Sequence, residues 1–144
     1  LLAVATTVFA IPSCREFIVK QFSDHSEYQV SDTENAEKVE SLELGYIPEG
    51  FEKAEDYKSD YLYRFSYKND QKYFNVDKHK IDAEINFDTE KYSSESIQIN
   101  GIQSIYFVSS NKEHGVIFNN GEYIFIISGN IEKDELVKIA QNVK

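Results

Sequence analysis

Val-Ile-Phe-Asn-Asn-Gly-Glu-Tyr-Ile-Phe-Ile-Ile, at residues 116–127, is the stretch that decides the fold. An Asn-Gly pair between β-forming residues is typical of a tight hairpin, because both turn positions of such a hairpin need positive φ. A two-residue turn at Asn120-Gly121 places Phe118 opposite Tyr123, and it leaves apolar side chains on both faces of the two strands. The stretch therefore predicts a central hairpin in a sheet that is covered on both sides.

The last segment has the pattern of a helix that covers one of these faces. Its apolar residues recur at helical spacing, and they are Leu136, Val137, Ile139, Ala140 and Val143. Glu132 stands at the expected N-cap with Glu135 three residues later, and Ile131 is placed to contact Leu136 as a hydrophobic staple. We expect a C-terminal helix packed on one face of the sheet.

Other segments have strand character. Alternation in Tyr-Leu-Tyr-Arg-Phe-Ser-Tyr at 61–67 puts four aromatic side chains on one face, which indicates a buried strand face rather than a binding platform. The polar residues 68–71 lead into a returning strand at 72–76, and Ile-Asn-Gly-Ile at 99–102 marks another hairpin. Residues 44–144 are thus expected to form one antiparallel sheet built from hairpins.

Residues 81–90 alternate between apolar and mostly acidic positions. The pattern directs Ile81, Ala83, Ile85 and Phe87 to the core and Asp82, Glu84, Asn86, Asp88 and Glu90 to solvent. Side chains two apart on a strand stand about 7 Å from one another, too far to share one calcium ion. A catalytic carboxylate pair would come from facing elements around a cleft. We interpret this acidic ladder as a solvated face, and no metal site is predicted.

The N-terminal part differs in composition from the rest of the chain. The first eleven residues carry no charge, and the chain becomes polar and acidic after Pro12. Since a helix of this length covers about half of a ~30 Å hydrocarbon core, residues 1–12 are predicted to be the truncated end of a transmembrane segment. Residues 13–43 are predicted to be a juxtamembrane connector of short helices, which bury Phe17, Ile18, Phe22, Ala36, Val39 and Leu42.

Cys14 is the one cysteine of the chain, which excludes an internal disulfide. It follows an apolar run, as the acylated cysteine of a bacterial lipoprotein does. Pro12 and the amphipathic stretch after Cys14 are unusual for that signal and favour the end of a membrane helix. The lipoprotein remains the alternative.

Length and charge limit the classes of function. The 144 residues, 41% of them hydrophobic, are enough for one domain with one core. The net charge of −10 repels phosphate backbones and anionic lipid heads, so no nucleic-acid partner is expected.

Motifs of known enzymes are absent from the sequence. The chain has no phosphate-binding glycine loop and no nucleophile elbow, and His25, His79 and His114 lack the spacing of metal ligands. His114 is interpreted as a solvated turn residue. The sequence predicts no catalytic, cofactor-binding or metal-ligating residues, no cofactor and no enzymatic activity.

Several segments, taken in their order, resemble a bacterial domain of unknown function. They are Leu-Gly-Tyr-Ile-Pro-Glu-Gly-Phe at 44–51, Asp-Thr-Glu at 88–90, Ile-Asn-Gly at 99–101, Asn-Gly-Glu-Tyr at 120–123 and Ser-Gly-Asn-Ile at 128–131, which leads to 135–140. The resemblance covers residues 44–144. It implies a domain on the extracytoplasmic side of single-pass, anti-sigma-factor-like membrane proteins, and it brings no catalytic residues.

These observations predict an α+β fold, namely an antiparallel sheet with a C-terminal helix, preceded by short helices and the truncated membrane segment. The expected function is the non-catalytic sensing or interaction domain of a membrane-anchored bacterial regulator, located at the cell membrane and facing outward. Its expected partners are the single-pass anchor and a protein or cell-envelope ligand. The alternatives are a surface lipoprotein that binds a peptide, lipid or wall fragment, and a hydrolase that uses the outward acidic residues.

Overall fold

The computed structural model describes residues 5–9, 17–21, 25–31, 33–88 and 92–144, with side chains at 26–31, 33–86 and 92–144. Within these ranges it contains eleven strands and one helix. The elements are, in chain order, β1 (Ala5–Phe9), β2 (Phe17–Gln21), β3 (His25–Val30), β4 (Glu52–Lys58), β5 (Leu62–Asn69), β6 (Lys72–Lys80), β7 (Ile85–Asp88), β8 (Tyr92–Ile99), β9 (Ile102–Ser109), β10 (His114–Asn119), β11 (Tyr123–Gly129) and α1 (Lys133–Ala140).

The strands form two antiparallel sheets. The large sheet has seven strands in the order β4-β5-β6-β11-β10-β9-β8, and the small sheet has four in the order β1-β2-β3-β7. Two meanders, β4 to β6 and β8 to β11, meet where β6 pairs with β11. The chain leaves the large sheet between them, as β7, and pairs with β3.

The large sheet is covered on both faces, as the apolar hairpin requires. On one face, Val116, Phe118, Phe125 and Ile127 share a core with residues of α1, among them Leu136. On the other face, Ile117 and Ile124 pack with Tyr28 and Val30 of β3. The face toward α1 is called the helix face below, and the face toward the small sheet is called the inner face.

The two Asn-Gly hairpins differ in their turns. Ile99 pairs with Ile102 around a two-residue turn, in which Asn100 and Gly101 have φ of 52° and 79°, so this prediction is confirmed. In the central hairpin Phe118 pairs with Phe125 rather than Tyr123, because the loop spans residues 120–123. The Asn120 side chain accepts hydrogen bonds from the backbone amides of 122 and 123, which holds this wider loop.

The predicted α+β class with helices ahead of the sheet is wrong. In the connector predicted at 13–43, residues 17–21 and 25–30 are strands, and residues 33–43 contain neither helix nor strand. The missed signal was period two in β3, where Ser26, Tyr28 and Val30 are buried and the residues between them are half-buried. The described residues within 13–43 thus contribute two strands to the small sheet in place of the predicted short helices.

Side-chain donors explain why residues 33–43 do not form a helix. The carbonyl oxygens of Lys38, Glu40 and Ser41 accept hydrogen bonds from Tyr123, Lys58 and Lys78, respectively. These bonds satisfy backbone acceptors that a helix would use internally. Val39 and Leu42 are buried as expected, without a helix.

The prediction of a truncated membrane segment at 1–12 is also wrong. Ala5–Phe9 is a strand, and it pairs with β2 from Ala5 opposite Gln21 to Phe9 opposite Phe17. Its β-branched Thr6, Thr7 and Val8 favour extended backbone over helix. No helix in the described ranges is long and apolar enough to cross a bilayer. Cys14 and Phe22 lie outside the described residues.

The acidic ladder at 81–90 is shorter than expected. Ile81 is buried and Asp82, Glu84 and Asn86 are exposed, as predicted, but among the described residues 81–88 only Ile85–Asp88 forms a strand. Glu84 accepts a hydrogen bond from the Gln29 side chain, so part of the ladder joins β3 to the β7 region. The side chains of residues 87–90 lie outside the described set.

Candidate binding cleft

A cleft of about 290 Å³ lies on the inner face, between the large and small sheets. Its apolar walls come from Ile85 of β7, Phe107 of β9, Ile117 of β10 and Ile126 of β11. Its polar lining groups are Asn86, Tyr92, Glu113 and Ser128. Apolar walls with a few polar groups are the usual composition of a ligand pocket, and this volume is near the lower end of the usual range.

Gly115 fixes the wall formed by Phe107. A Cβ atom at Gly115 would lie 2.7 Å from the Phe107 ring and 2.5 Å from the Ile127 carbonyl oxygen, so no side chain fits there. The ring therefore lies directly against the backbone of β10. Tyr92 meets Phe107 edge-on, with 5.6 Å between the ring centroids, and this contact positions a second aromatic side chain at the cleft.

Glu113 supplies the negative charge of the cleft, and its turn is held by several bonds. Its carbonyl oxygen accepts from the Ser109 amide at 2.7 Å, and its own amide donates to the Ser109 hydroxyl at 3.2 Å. Burial raises the pKa of Tyr73, and the nearby Glu113 charge and a hydrogen bond with Glu113 raise it further. Tyr73 therefore remains a neutral phenol beside Glu113.

An ion-pair network lies on the same face of the large sheet. Arg64 donates two hydrogen bonds of 2.6 Å to the Asp77 carboxylate, in the bidentate geometry that arginine favours. Asp77 stands opposite Ile126 in the ladder, so the network adjoins the cleft. His79 lies 3.8 Å from Asp77, and its Nε2 atom is buried without a hydrogen-bond partner.

The Asp77 carboxylate is ionised in the fold. Burial opposes this, but the two hydrogen bonds from Arg64 and the Arg64 charge outweigh it, so the pKa of Asp77 is lowered. The pair therefore anchors β5 to β6 beside the cleft.

A second groove, of about 380 Å³, lies on the helix face at the start of α1. Tyr46, Phe51, Glu132 and Glu135 are among its lining residues. The Tyr46 hydroxyl donates to Glu135 at 2.7 Å, and this bond raises the pKa of Tyr46. Glu135 therefore serves the packing of the 44–51 segment on the helix rather than a capping box. Glu132 is the N-cap residue, but its side chain makes no capping hydrogen bond.

His114 is not the solvated turn residue that was expected. It is the first residue of β10, half-buried, and its ring bonds the Ile131 carbonyl oxygen through Nε2 and the Tyr106 hydroxyl through Nδ1. Because a carbonyl only accepts, Nε2 carries a hydrogen and donates it to Ile131. The histidine links β9, β10 and the residue before the N-cap, which is a structural role.

The sequence predicted no site residues, and it missed the cleft. The lining residues come from five strands and a turn, and the small sheet that forms one wall was not foreseen. Two signals pointed to this place: Ser-Ile-Tyr-Phe-Val at 104–108 is apolar on both faces, and Gly115 interrupts an apolar strand. In the part of the chain that the structure describes, no three His, Cys, Asp or Glu side chains are grouped to hold a metal.

Comparison with protein families gives one match, a domain of unknown function (DUF4367) over residues 41–143. The chain belongs to the DUF4367 family. This confirms the coarser part of the predicted resemblance. Comparisons with curated proteins and with solved structures give no match.

The DUF4367 match can be compared with the strands and the helix of the structure. It includes the whole large sheet, β7 and α1, and thus every residue that lines the cleft. Strands β1, β2 and β3 lie before residue 41. The family domain therefore receives part of the cover of its inner face, namely β3 with Tyr28 and Val30, from outside the matched segment.

Proposed function

We propose that this DUF4367 chain is a non-catalytic sensing or interaction domain of a membrane-anchored bacterial regulator, and that it works outside the cytoplasm. The observation that carries the interaction role is the cleft between the sheets, with apolar walls and a few polar groups. The acceptor groups of Glu113 and Ser128 suit a small apolar group that bears a hydrogen-bond donor.

The location rests on the family resemblance and on the charge of the chain. The resemblance implies extracytoplasmic membrane proteins, and the charge of −10 disfavours contact with the anionic inner leaflet and with nucleic acids. We do not place the anchor in residues 1–12, since Ala5–Phe9 is a paired strand.

The cleft is tested with a neutral apolar fluorophore, N-phenyl-1-naphthylamine. We expect saturable binding to the full chain. Ile126→Trp fills the cleft and should weaken binding by roughly tenfold or more, which corresponds to about 1.4 kcal/mol. Ile97→Trp is the matched control, because Ile97 is also a half-buried strand isoleucine but packs on the helix face.

The chain has no native tryptophan, so each variant carries a single one, whose emission reports folding. No binding by the parent chain, or equal binding by both variants, would refute the role of the cleft.

The location is tested by adding protease to intact bacteria stripped of their cell wall. We expect removal of the domain while a cytoplasmic control protein survives. Protection of the domain would refute the outward location. An acyl group on Cys14, found by mass spectrometry of the full protein, would favour the lipoprotein alternative.

A further inference from the structure

The outer strand β8 has an open edge. It pairs with β9 through eight consecutive residue pairs without a break in register, and no other described strand pairs with it. Five of its eight residues are exposed. Its one ionised side chain, Glu95, is paired with Lys133 at 2.8 Å. An edge of this length and regularity is a template for another strand.

The opposite edge of the large sheet is protected in the usual ways. Strand β4 is interrupted by a bulge between Lys53 and Glu55, and five of its seven residues are charged. Bulges and edge charges prevent strand addition. Of the two edge strands of the large sheet, only β8 lacks a bulge and a high density of charged residues.

The turn defines which backbone groups point outward. The residues that flank a two-residue hairpin turn form a hydrogen-bonded pair, so Ile99 and every second residue before it bond to β9. The N–H and C=O groups of Ser94, Ser96 and Gln98 therefore point to the free edge.

The negative charge of the chain indicates which kind of peptide can pair with the β8 edge. Glu95 lies on the helix face of β8, and Glu113 lies at the cleft on the inner face. A second copy of the chain would bring a charge of −10 against −10, whereas a basic segment is attracted. Tyr92, the first residue of β8, is also a wall of the cleft, so alternate side chains of an added strand would lie beside it.

We propose that the β8 edge binds an extended basic peptide segment as an added antiparallel or parallel strand, with alternate aliphatic side chains directed toward the cleft. Backbone hydrogen bonds at Ser94, Ser96 and Gln98 hold the peptide, and Glu113 and the net charge of −10 select for positive charge. This proposal names the partner of the interaction domain proposed above and rests on it.

The probe is a short blocked peptide of alternating valine and lysine, added to the full chain and followed by amide hydrogen exchange. We expect the amides of Ser94 and Ser96 to gain protection. The same peptide with N-methylated valines keeps its charge but loses backbone donors, and a valine-glutamate peptide reverses the charge. Neither control peptide should bind.

The matched variants are Ser96→Pro and Ser96→Ala. Proline removes the outward N–H at an edge position that tolerates it and should weaken peptide binding roughly tenfold, whereas alanine keeps the N–H and should bind as the parent chain does. Because the N-methylated peptide tests the same bonds on the parent chain, the proposal is testable even if Ser96→Pro does not fold.

The proposal is overturned if the peptide does not bind, if its N-methylated form binds equally well, or if protection appears at β4. It is also overturned if the free chain is a dimer with protected Ser94 and Ser96 amides. Loss of peptide binding with retained fluorophore binding refutes strand addition alone. Retained peptide binding without fluorophore binding refutes the proposed cleft instead.

Discussion

Asp77 is the clearest single-residue determinant of the inner face. It is only 8% exposed, yet it is ionised, because Arg64 meets it with two hydrogen bonds. We expect Asp77→Asn to lower the free energy of unfolding by about 1–3 kcal/mol, since Arg64 would lose its partner while remaining 39% exposed to water. Asp82→Asn is the control: its contact with Lys80 is 3.6 Å long and the Asp82 side chain is 45% exposed, so it should cost less than about 1 kcal/mol. Urea unfolding at neutral pH measures both.

The same pair predicts a pH dependence. The pKa of Asp77 is lowered in the fold, so its contribution is complete above the ordinary aspartate pKa and is lost as pH falls through the folded value. The stability difference between the parent chain and Asp77→Asn should therefore shrink as the solution is acidified below pH ~4. A difference that stays constant down to pH ~2 would show that the charge of Asp77 is not its source of stability.

A substitution at Gly101 tests the backbone conformation of the turn separately from side-chain contacts. Its φ is 79°, and nothing lies within 4 Å of the position that a Cβ atom would take, so the substitution Gly101→Ala meets conformational strain alone. We expect a loss of about 1–2 kcal/mol in thermal unfolding. Asn100→Gly, at the neighbouring position with φ of 52°, should be tolerated. A Gly101→Ala chain as stable as the parent would contradict the left-handed turn.

At the scale of elements, α1 is held by burial rather than by its own propensity. It has eight residues, its N-cap side chain makes no capping bond, and Leu136 and Ile139 are fully buried against the large sheet. We expect Leu136→Ala to destabilise the chain by about 2–5 kcal/mol. Asp134→Ala, an exposed change in the first turn, should cost about 0.3–1 kcal/mol. Similar melting temperatures for the two variants would mean that α1 does not cover the helix face.

Strands and turns could be predicted from the sequence where the local residue pattern agrees with the packing in the structure. Tyr63, Phe65 and Tyr67 alternate and join the helix-face core, and Asn100-Gly101 forms its turn as expected. Prediction failed where tertiary partners decide the structure. The 33–43 segment has an amphipathic pattern, but its carbonyls are taken by lysine and tyrosine side chains from distant strands. The cleft was unpredictable for the same reason, since β3 and β7 pair across more than fifty residues of sequence.

At the scale of the whole molecule, the DUF4367 match at residues 41–143 is shorter than the part of the chain that forms the inner-face core. The inner-face core contains Ile81, Ile105, Ile117 and Ile124 from the segment, but Tyr28 and Val30 from before it. Tyr28 also accepts a hydrogen bond from buried Asn119 at 3.1 Å, which joins the two sheets. Removing β3 would therefore uncover apolar side chains and leave a buried amide without this partner.

The last prediction concerns the chain trimmed to residues 41–143. Exposing a large aliphatic side chain costs about 1.5–3 kcal/mol, so uncovering the four inner-face isoleucines approaches the total stability of an ordinary domain, about 5–15 kcal/mol. We expect the trimmed chain to lose cooperative melting and to bind an apolar dye. A chain of residues 25–144 keeps β3 and its pairing with β7 and should melt cooperatively. If the 41–143 chain melted like the full chain, strands β1 to β3 would not be needed to cover the inner face.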